Sequence, residues 1–401
     1  MALSFSYIAS LNFTINSTIA PSVEYDYEYN WNETCRDFQQ PIIETFIWTL
    51  LFGAMIVTAA VGNCIVMWIV LAHRRMRTVT NYFIVNLALA DALNAIFNIS
   101  FTFTYVLRND WYFGNAYCKI VRFISPLTVA SSIFTLMAIS IDRYIAIVHP
   151  MRPRMSKVLA KTIVAVVWIA SAAIALPWFI FTNIDFGACP PPAITDTPIY
   201  VRRVCATIWP DQENYGDWYF WYNFSFMVAT YFLPLIAQGV SYSIIGIKLW
   251  GSHAPGEISN RHREQLKAKR KVVKMMILVV IIFAICWLPV HIYFLLGRSY
   301  SDVLYSHPNA REIYMAVFWL GMSNSMYNPF IYCWLNDRFR RGFRKALRWL
   351  PCFKWAPGER VDYQRPTNLS GTYSTTQGMK LMKNESDMIT TVDESMLENT
   401  L

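Results

Sequence analysis

Thr135-Leu136-Met137-Ala138-Ile139-Ser140-Ile141-Asp142-Arg143-Tyr144 carries an apolar helical stretch into a carboxylate, a guanidinium and a phenol. The apolar stretch begins near Cys118. The 25 residues from there to Arg143 cover roughly 37 Å of helix axis, about one membrane crossing. Charged groups at the end of a membrane helix are costly without a partner or water, and they are functional suspects by default. A lone triplet of this kind also fits a helix-end pair that snorkels to lipid headgroups. The rest of the chain decides between the two.

Seven long apolar stretches run near 46–71, 82–107, 118–148, 162–181, 218–247, 275–296 and 313–335. Each can cross a hydrocarbon core of ~30 Å. They explain why the 401 residues are 55% hydrophobic and only 15% charged, against about 25% charged in soluble proteins. Pro126, Pro177, Pro234, Pro289 and Pro329 lie inside spans and predict kinks. The expected fold is an all-α membrane protein, a seven-transmembrane helix bundle over 46–335. Beyond it, Phe339, Phe343, Leu347 and Leu350 fall on one helical face with bases over much of the rest. That pattern predicts a short amphipathic helix over 336–350 on the inner-leaflet lipids. Cys352 just after it is a candidate palmitoylation site.

Charge sets the orientation. The loops after spans one, three and five, with the stretch 336–354 just after span seven, hold 22 Lys/Arg and 3 acids; the amino-terminal tail and the other loops hold 6 and 14. The positive-inside rule puts the amino terminus outside and the carboxyl terminus in the cytoplasm. The net charge of +9 is therefore a basic inner face plus an acidic outer one, and not a nucleic-acid footprint. Residues 1–20 lack a basic leader and a clean apolar run, so the first span is expected to act as the insertion signal. Residues 1–45 form an extracellular tail with glycosylation sequons at Asn12, Asn16 and Asn32. Residues 351–401 read as a disordered cytoplasmic tail whose Ser and Thr suit phosphorylation. No tail or loop is long enough to fold a catalytic domain, which argues against an enzyme.

Cys35, Cys118, Cys189 and Cys205 fall on the oxidising side, where bridges persist. Four cysteines allow three pairings, and spacing does not choose among them. Asp91 is the one acid deep in a span. A buried carboxylate without a partner takes a proton or recruits a cation. Asn63, Ser132, Asn324, Ser325 and Asn328 are the polar residues that could meet it, and the constellation suggests a pocket for a sodium ion, built on Asp91, Ser132, Asn324 and Asn328. Phe283 lies before Cys286-Trp287-Leu288-Pro289, and Asn328-Pro329-Phe330-Ile331-Tyr332 forms a second kinked segment.

Gly62-Asn63, Asp91, Asp142-Arg143-Tyr144, Trp168, Pro234, Cys286-Trp287-Leu288-Pro289 and Asn328-Pro329-Phe330-Ile331-Tyr332 occur in this order, one set per span. They resemble the rhodopsin-like G-protein-coupled receptors over about 46–350. Arg122-Phe123-Ile124-Ser125-Pro126 has no carboxylate for an amine ligand, and 313–335 has no Lys for retinal. Met76-Arg77-Thr78-Val79-Thr80-Asn81-Tyr82-Phe83, Ala268 to Met276, Phe283 to His291 and Trp319 to Phe339 are similar to the tachykinin (neurokinin) receptors, nearest the invertebrate tachykinin-related peptide receptors.

The resemblance implies a Cys118–Cys205 bridge, leaving Cys35 and Cys189 as candidates for a second. It implies peptide contacts at Asn98, Asn109, His291, Phe294 and Tyr314. It implies a switch formed by Phe283, Trp287, Pro289, Asn328, Pro329 and Tyr332, and G-protein coupling through Asp142, Arg143 and Tyr144. Thr102, Val121, Trp178 and Asn223 depart from the vertebrate pattern of Asn, His, Gln and His. The implied partners are an amidated peptide, a heterotrimeric G protein of the Gq type, and arrestin and receptor kinases at the tail. With no acid at the inner end of span six, Asp142 is the expected resting partner of Arg143. The alternatives are a receptor for another amidated neuropeptide and, from a different class, a membrane transporter, for which the chain lacks an internal repeat.

Overall fold

The computed structural model describes residues 41–189, 200–210, 218–251, 260–300, 307 and 309–348. Asn12, Asn16, Asn32, Cys35, Cys352 and the tail Ser/Thr lie outside them. Among the described residues the chain forms eight long helices and one hairpin: α1 Ile42–Ala72, α2 Val79–Arg108, α3 Gly114–Val148, α4 Lys157–Ile180, α5 Trp218–Gly251, α6 Asn260–Ser299, α7 Ala310–Leu335 and α8 Asp337–Ala346. Strands β1 Thr182–Cys189 and β2 Tyr200–Thr207 pair antiparallel between α4 and α5. "Outer" below denotes the hairpin end and "inner" the α8 end.

Helices α1 to α6 each contain a segment long and apolar enough to cross a membrane. The seventh expected span is present as α7 and is less apolar than the other six. With 26 residues, α7 reaches about 39 Å, but its inward face carries Ser323, Asn324, Ser325 and Asn328, all buried, which lowers its apolarity below that of the others. It is seated between α6 and α1, where protein covers that polar face. At the inner side, α6 begins at Asn260, fifteen residues before the apolar stretch. Its Arg, Lys, Gln, Glu and Ala are strong helix formers, so part of the expected loop continues the helix.

Side chains start the helices where the sequence supplies them. Thr78 accepts the Asn81 N–H ahead of α2, and Ser156 accepts the Leu159 N–H ahead of α4, satisfying donors that a first turn leaves free. Two segments widen into π-helix, Asn94–Ile99 in α2 and Val228–Phe232 in α5. The long α3 packs against α2, α4 and α5 and forms the spine of the bundle. Close approach is bought with glycine: a Cβ on Gly62 of α1 would stand 2.9 Å from the Pro329 ring of α7.

Candidate functional site

The outer end is built around the hairpin. The Cys118–Cys205 disulfide ties β2 to α3, and Trp111 is buried against Tyr105, Cys118, Val121 and Cys205. The Trp111 N–H donates to the Arg203 carbonyl at 3.0 Å. Asp110 in return accepts the Arg203 backbone N–H at 2.8 Å and its guanidinium at 2.8 Å. Burial pushes the Asp110 carboxyl up, but the side-chain and backbone bonds from Arg203 hold it below its ordinary value of 3.8. One turn inward from the disulfide, Arg122 donates to the Cys205 carbonyl at 2.6 Å.

Beneath the hairpin lies a pocket lined by Pro126 of α3, Trp178 of α4, Tyr222, Asn223, Phe226 and Met227 of α5, and His291, Phe294 and Leu295 of α6. Two of the five expected ligand residues, His291 and Phe294, meet there. So do Trp178 and Asn223, two of the positions where the sequence departs from the vertebrate pattern. Asn98 and Tyr314 lie elsewhere. Asn98 is buried on the π-helical turn of α2, where it donates to Asn94 at 2.9 Å and accepts from Thr102 at 3.1 Å. Tyr314 stacks on Phe318 and tilts against Tyr293. Asn109 is the left-handed cap of α2 at φ 54°, a conformation Asn tolerates better than most residues.

From the pocket an aromatic ladder descends α6. Ring centroids are 6.1 Å apart from His291 to Trp287 and again from Trp287 to Phe283. Tyr231 of α5 bridges the ladder, 5.0 Å from His291, and its hydroxyl donates to the Ala284 carbonyl at 3.0 Å. Pro289 lies within the ladder and withholds the N–H that would bond the carbonyl four residues earlier.

Lower still, Asp91 is buried and receives three hydrogen bonds. Ser132 donates at 3.3 Å and Ser325 at 3.1 Å to one oxygen, and Asn328 donates at 2.7 Å to the other. The network joins α2, α3 and α7. Asn324, expected in this pocket, is buried but is not among the three donors; Ser325, one position on, supplies the α7 hydroxyl. Asn63 instead donates to the Ser325 and Ala59 carbonyls. Asn86 ties α2 to its neighbours, donating to Thr135 at 2.8 Å and accepting from Trp168 at 2.7 Å.

At the inner end, Asp142 accepts the Thr80 hydroxyl at 2.7 Å and the Arg143 guanidinium at 3.0 Å. Arg143 also donates to Thr80. Tyr144 packs edge-on against His149. Tyr332 is buried, its ring tilted against Phe339 of α8 with centroids 5.5 Å apart.

Residues 62–332 match the rhodopsin family of seven-transmembrane receptors. The chain belongs to that family. It falls in its tachykinin receptor group, being 46% identical over 338 residues to a tachykinin-like peptides receptor of Drosophila melanogaster, with 84% of this chain and 63% of that protein covered. It is 42% identical over 364 residues to the substance-P receptor of Homo sapiens, covering 91% of this chain and 84% of that one. The human neuromedin-K receptor is 41% identical over 353 residues, covering 86% and 72%. The chain thus spans somewhat less than two thirds of the fly relative's length. Receptor membership excludes the transporter and enzyme readings. Three residues of this receptor's site escaped the sequence reading: Thr80, Asp110 and Arg203. Each acts through a partner more than 60 positions away, and no spacing within one helix signals that.

Proposed function

We propose that this receptor sits in the plasma membrane with its amino terminus outside, binds an amidated tachykinin-related peptide at its outer end, and activates a Gq-type G protein. The observation that carries the reading is continuity. The pocket residue His291 heads an aromatic ladder to Phe283, and Asp142 and Thr80 hold the coupling residue Arg143 at the other end of the bundle. A peptide that repacks Trp287 shifts α6 about the Pro289 kink, by no more than its difference in affinity for the two arrangements. Opening the inner end frees Arg143, Tyr144 and Tyr332 for the G protein. Arrestin and receptor kinases act at the tail, and α8 rests on lipid.

Asp91 with the Ser132 and Ser325 hydroxyls presents three converging oxygens, a donor set that suits a small hard cation. These residues fit a sodium ion, which would favour the arrangement in which α2, α3 and α7 are drawn together.

The outer charge imbalance supports a cationic peptide, although screening confines its pull to ~8 Å. The fly relative's name supports the tachykinin-like class. A calcium assay on cells displaying the receptor, run with a panel of amidated peptides, tests both ligand and coupling. Tachykinin-related peptides should respond first. Silence to all of them with verified surface display would move the assignment to another amidated neuropeptide.

A further inference from the structure

From Gln265 to Ser299, α6 has no acidic residue, so this stretch of α6 offers Arg143 no carboxylate. The inner end of α6 is nevertheless held, through two consecutive basic residues pointing opposite ways. Arg270 donates to the Leu249 carbonyl of α5 at 3.2 and 2.9 Å and lies over the Trp250 ring. Lys271 reaches the other way, 3.2 and 3.1 Å from the two carboxylate oxygens of Asp337, the first residue of α8. We propose that Asp337 is a positioning residue for activation, whose cross-helix ion pair with Lys271 latches α6 shut and replaces the restraint that an acid on α6 would supply. The inference rests on the reading above, in which α6 swings outward.

The geometry makes α8 a suitable anchor. Asn336 accepts the Arg338 N–H at 3.1 Å and starts the helix. Phe339 and Phe343 are buried. Gly342 lies so close to α1 that a Cβ there would stand 2.7 Å from Ile69. Asp337 therefore belongs to the α1–α7 side, and an outward swing of α6 lengthens its distance to Lys271. The Lys271 hydrogen bond, with further help from Arg340, holds the Asp337 carboxyl below 3.8, so it is charged at cellular pH. Both partners are about half exposed, which suits a restraint meant to yield, since exposed pairs shift an equilibrium only a few-fold. Arg340 of α8 donates to the same carboxylate. It competes with Lys271 without linking α8 to α6.

The test uses the full chain in lipid nanodiscs. Nitroxides are placed at Lys267→Cys and Lys157→Cys, with Cys64, Cys286, Cys333 and Cys352 replaced by Ser, and the distance distribution is read by pulsed electron resonance. Without peptide or G protein, Asp337→Asn should raise the long-distance population about two- to five-fold. Lys271→Gln should do the same, and the double variant should add nothing, while Arg340→Gln should not raise it. A lower thermal midpoint with an unchanged distribution would mean that Asp337 is only structural and overturns the latch. An unchanged distribution in Asp337→Asn, when nucleotide-free G protein still lengthens the wild-type distance, also overturns the latch but leaves the receptor reading intact. If the G protein moves α6 in no variant, the outward swing itself is wrong, and the latch falls with it.

Discussion

Asp142 and Arg143, neighbours in sequence, are paired with each other at 3.0 Å. Adjacent residues on a helix do not ordinarily face one another. The pair closes because Thr80 of α2 stands beside both: its oxygen accepts from Arg143 while its hydroxyl donates to Asp142. Arg143 is therefore held in a three-membered ring spanning α2 and α3.

That ring makes Thr80 as consequential as the charged pair. A hydrogen bond to a charged group contributes about 1.5–3 kcal/mol, and 1.4 kcal/mol is a factor of ten in an equilibrium constant. Thr80→Val and Asp142→Asn should each raise ligand-independent signalling about ten-fold. Arg143→Ala should abolish signalling while peptide affinity stays within a few-fold. Radioligand binding beside second-messenger output separates the two, and full signalling by Arg143→Ala would remove Arg143 from the coupling site.

Asp91 should divide folding from ion sensitivity. Asp91→Leu is close in size but leaves the donors on Ser132, Ser325 and Asn328 without an acceptor. At about 1–3 kcal/mol for each buried unmet group, the thermal midpoint should fall steeply. Asp91→Asn keeps an oxygen and should fold. If sodium binds here, raising sodium at constant ionic strength stabilises the wild type and not Asp91→Asn. Equal responses would discard the ion.

The Asp110–Arg203 pair gives a pH signature at the outer end. The folded Asp110 carboxyl titrates below its unfolded value of 3.8. Its stabilisation is then fully present above that value and is lost as pH falls through the lower folded one. Asp110→Asn should melt earlier than wild type at pH 7, and the gap should close as pH drops below about 4. A gap that persists at low pH would assign the effect to packing instead of charge.

Ligand contacts should separate by location. His291→Ala and Phe294→Ala, both in the pocket, should each weaken peptide binding by ten-fold or more if they are anchoring residues. Asn109 should behave as a backbone residue. Asn109→Gly keeps the left-handed cap, whereas Asn109→Ala costs about 1–2 kcal/mol of conformational strain and should lower expression more than affinity. Competition binding and thermal melts on the same samples distinguish these outcomes.

Much of this was legible in the chain because membrane helices announce themselves locally. Apolar length places the spans, and single residues such as Asp91, Trp287 and Asn328 mark positions along them. The Cys118–Cys205 pairing came from resemblance, since spacing left three choices open. What stayed hidden depends on rotation and distance. Whether Ser325 or Asn324 faces Asp91 is a matter of 100° about α7. The widened turns of α2 and α5 have no sequence signature of their own. The β1–β2 hairpin reads as a loop because ten residues separate its strands, too many for a tight-turn signal. Lys271 and Asp337 lie 66 positions apart on helices whose crossing no periodicity reports.

The widened turn at Asn94–Ile99 has an evolutionary meaning. A π-turn holds about one residue more than an α-turn, and one residue is 100° of helix rotation. Thr102, Phe103, Tyr105 and Val106 are buried in the segment that follows it. Deleting a single residue from this turn would leave the inner half of α2, with Asp91, in register and would turn the outer third to a different face. A lineage could thus present a new outer face of α2 through one codon's loss, while the Asp91 and Thr80 networks of the inner half stay as they were.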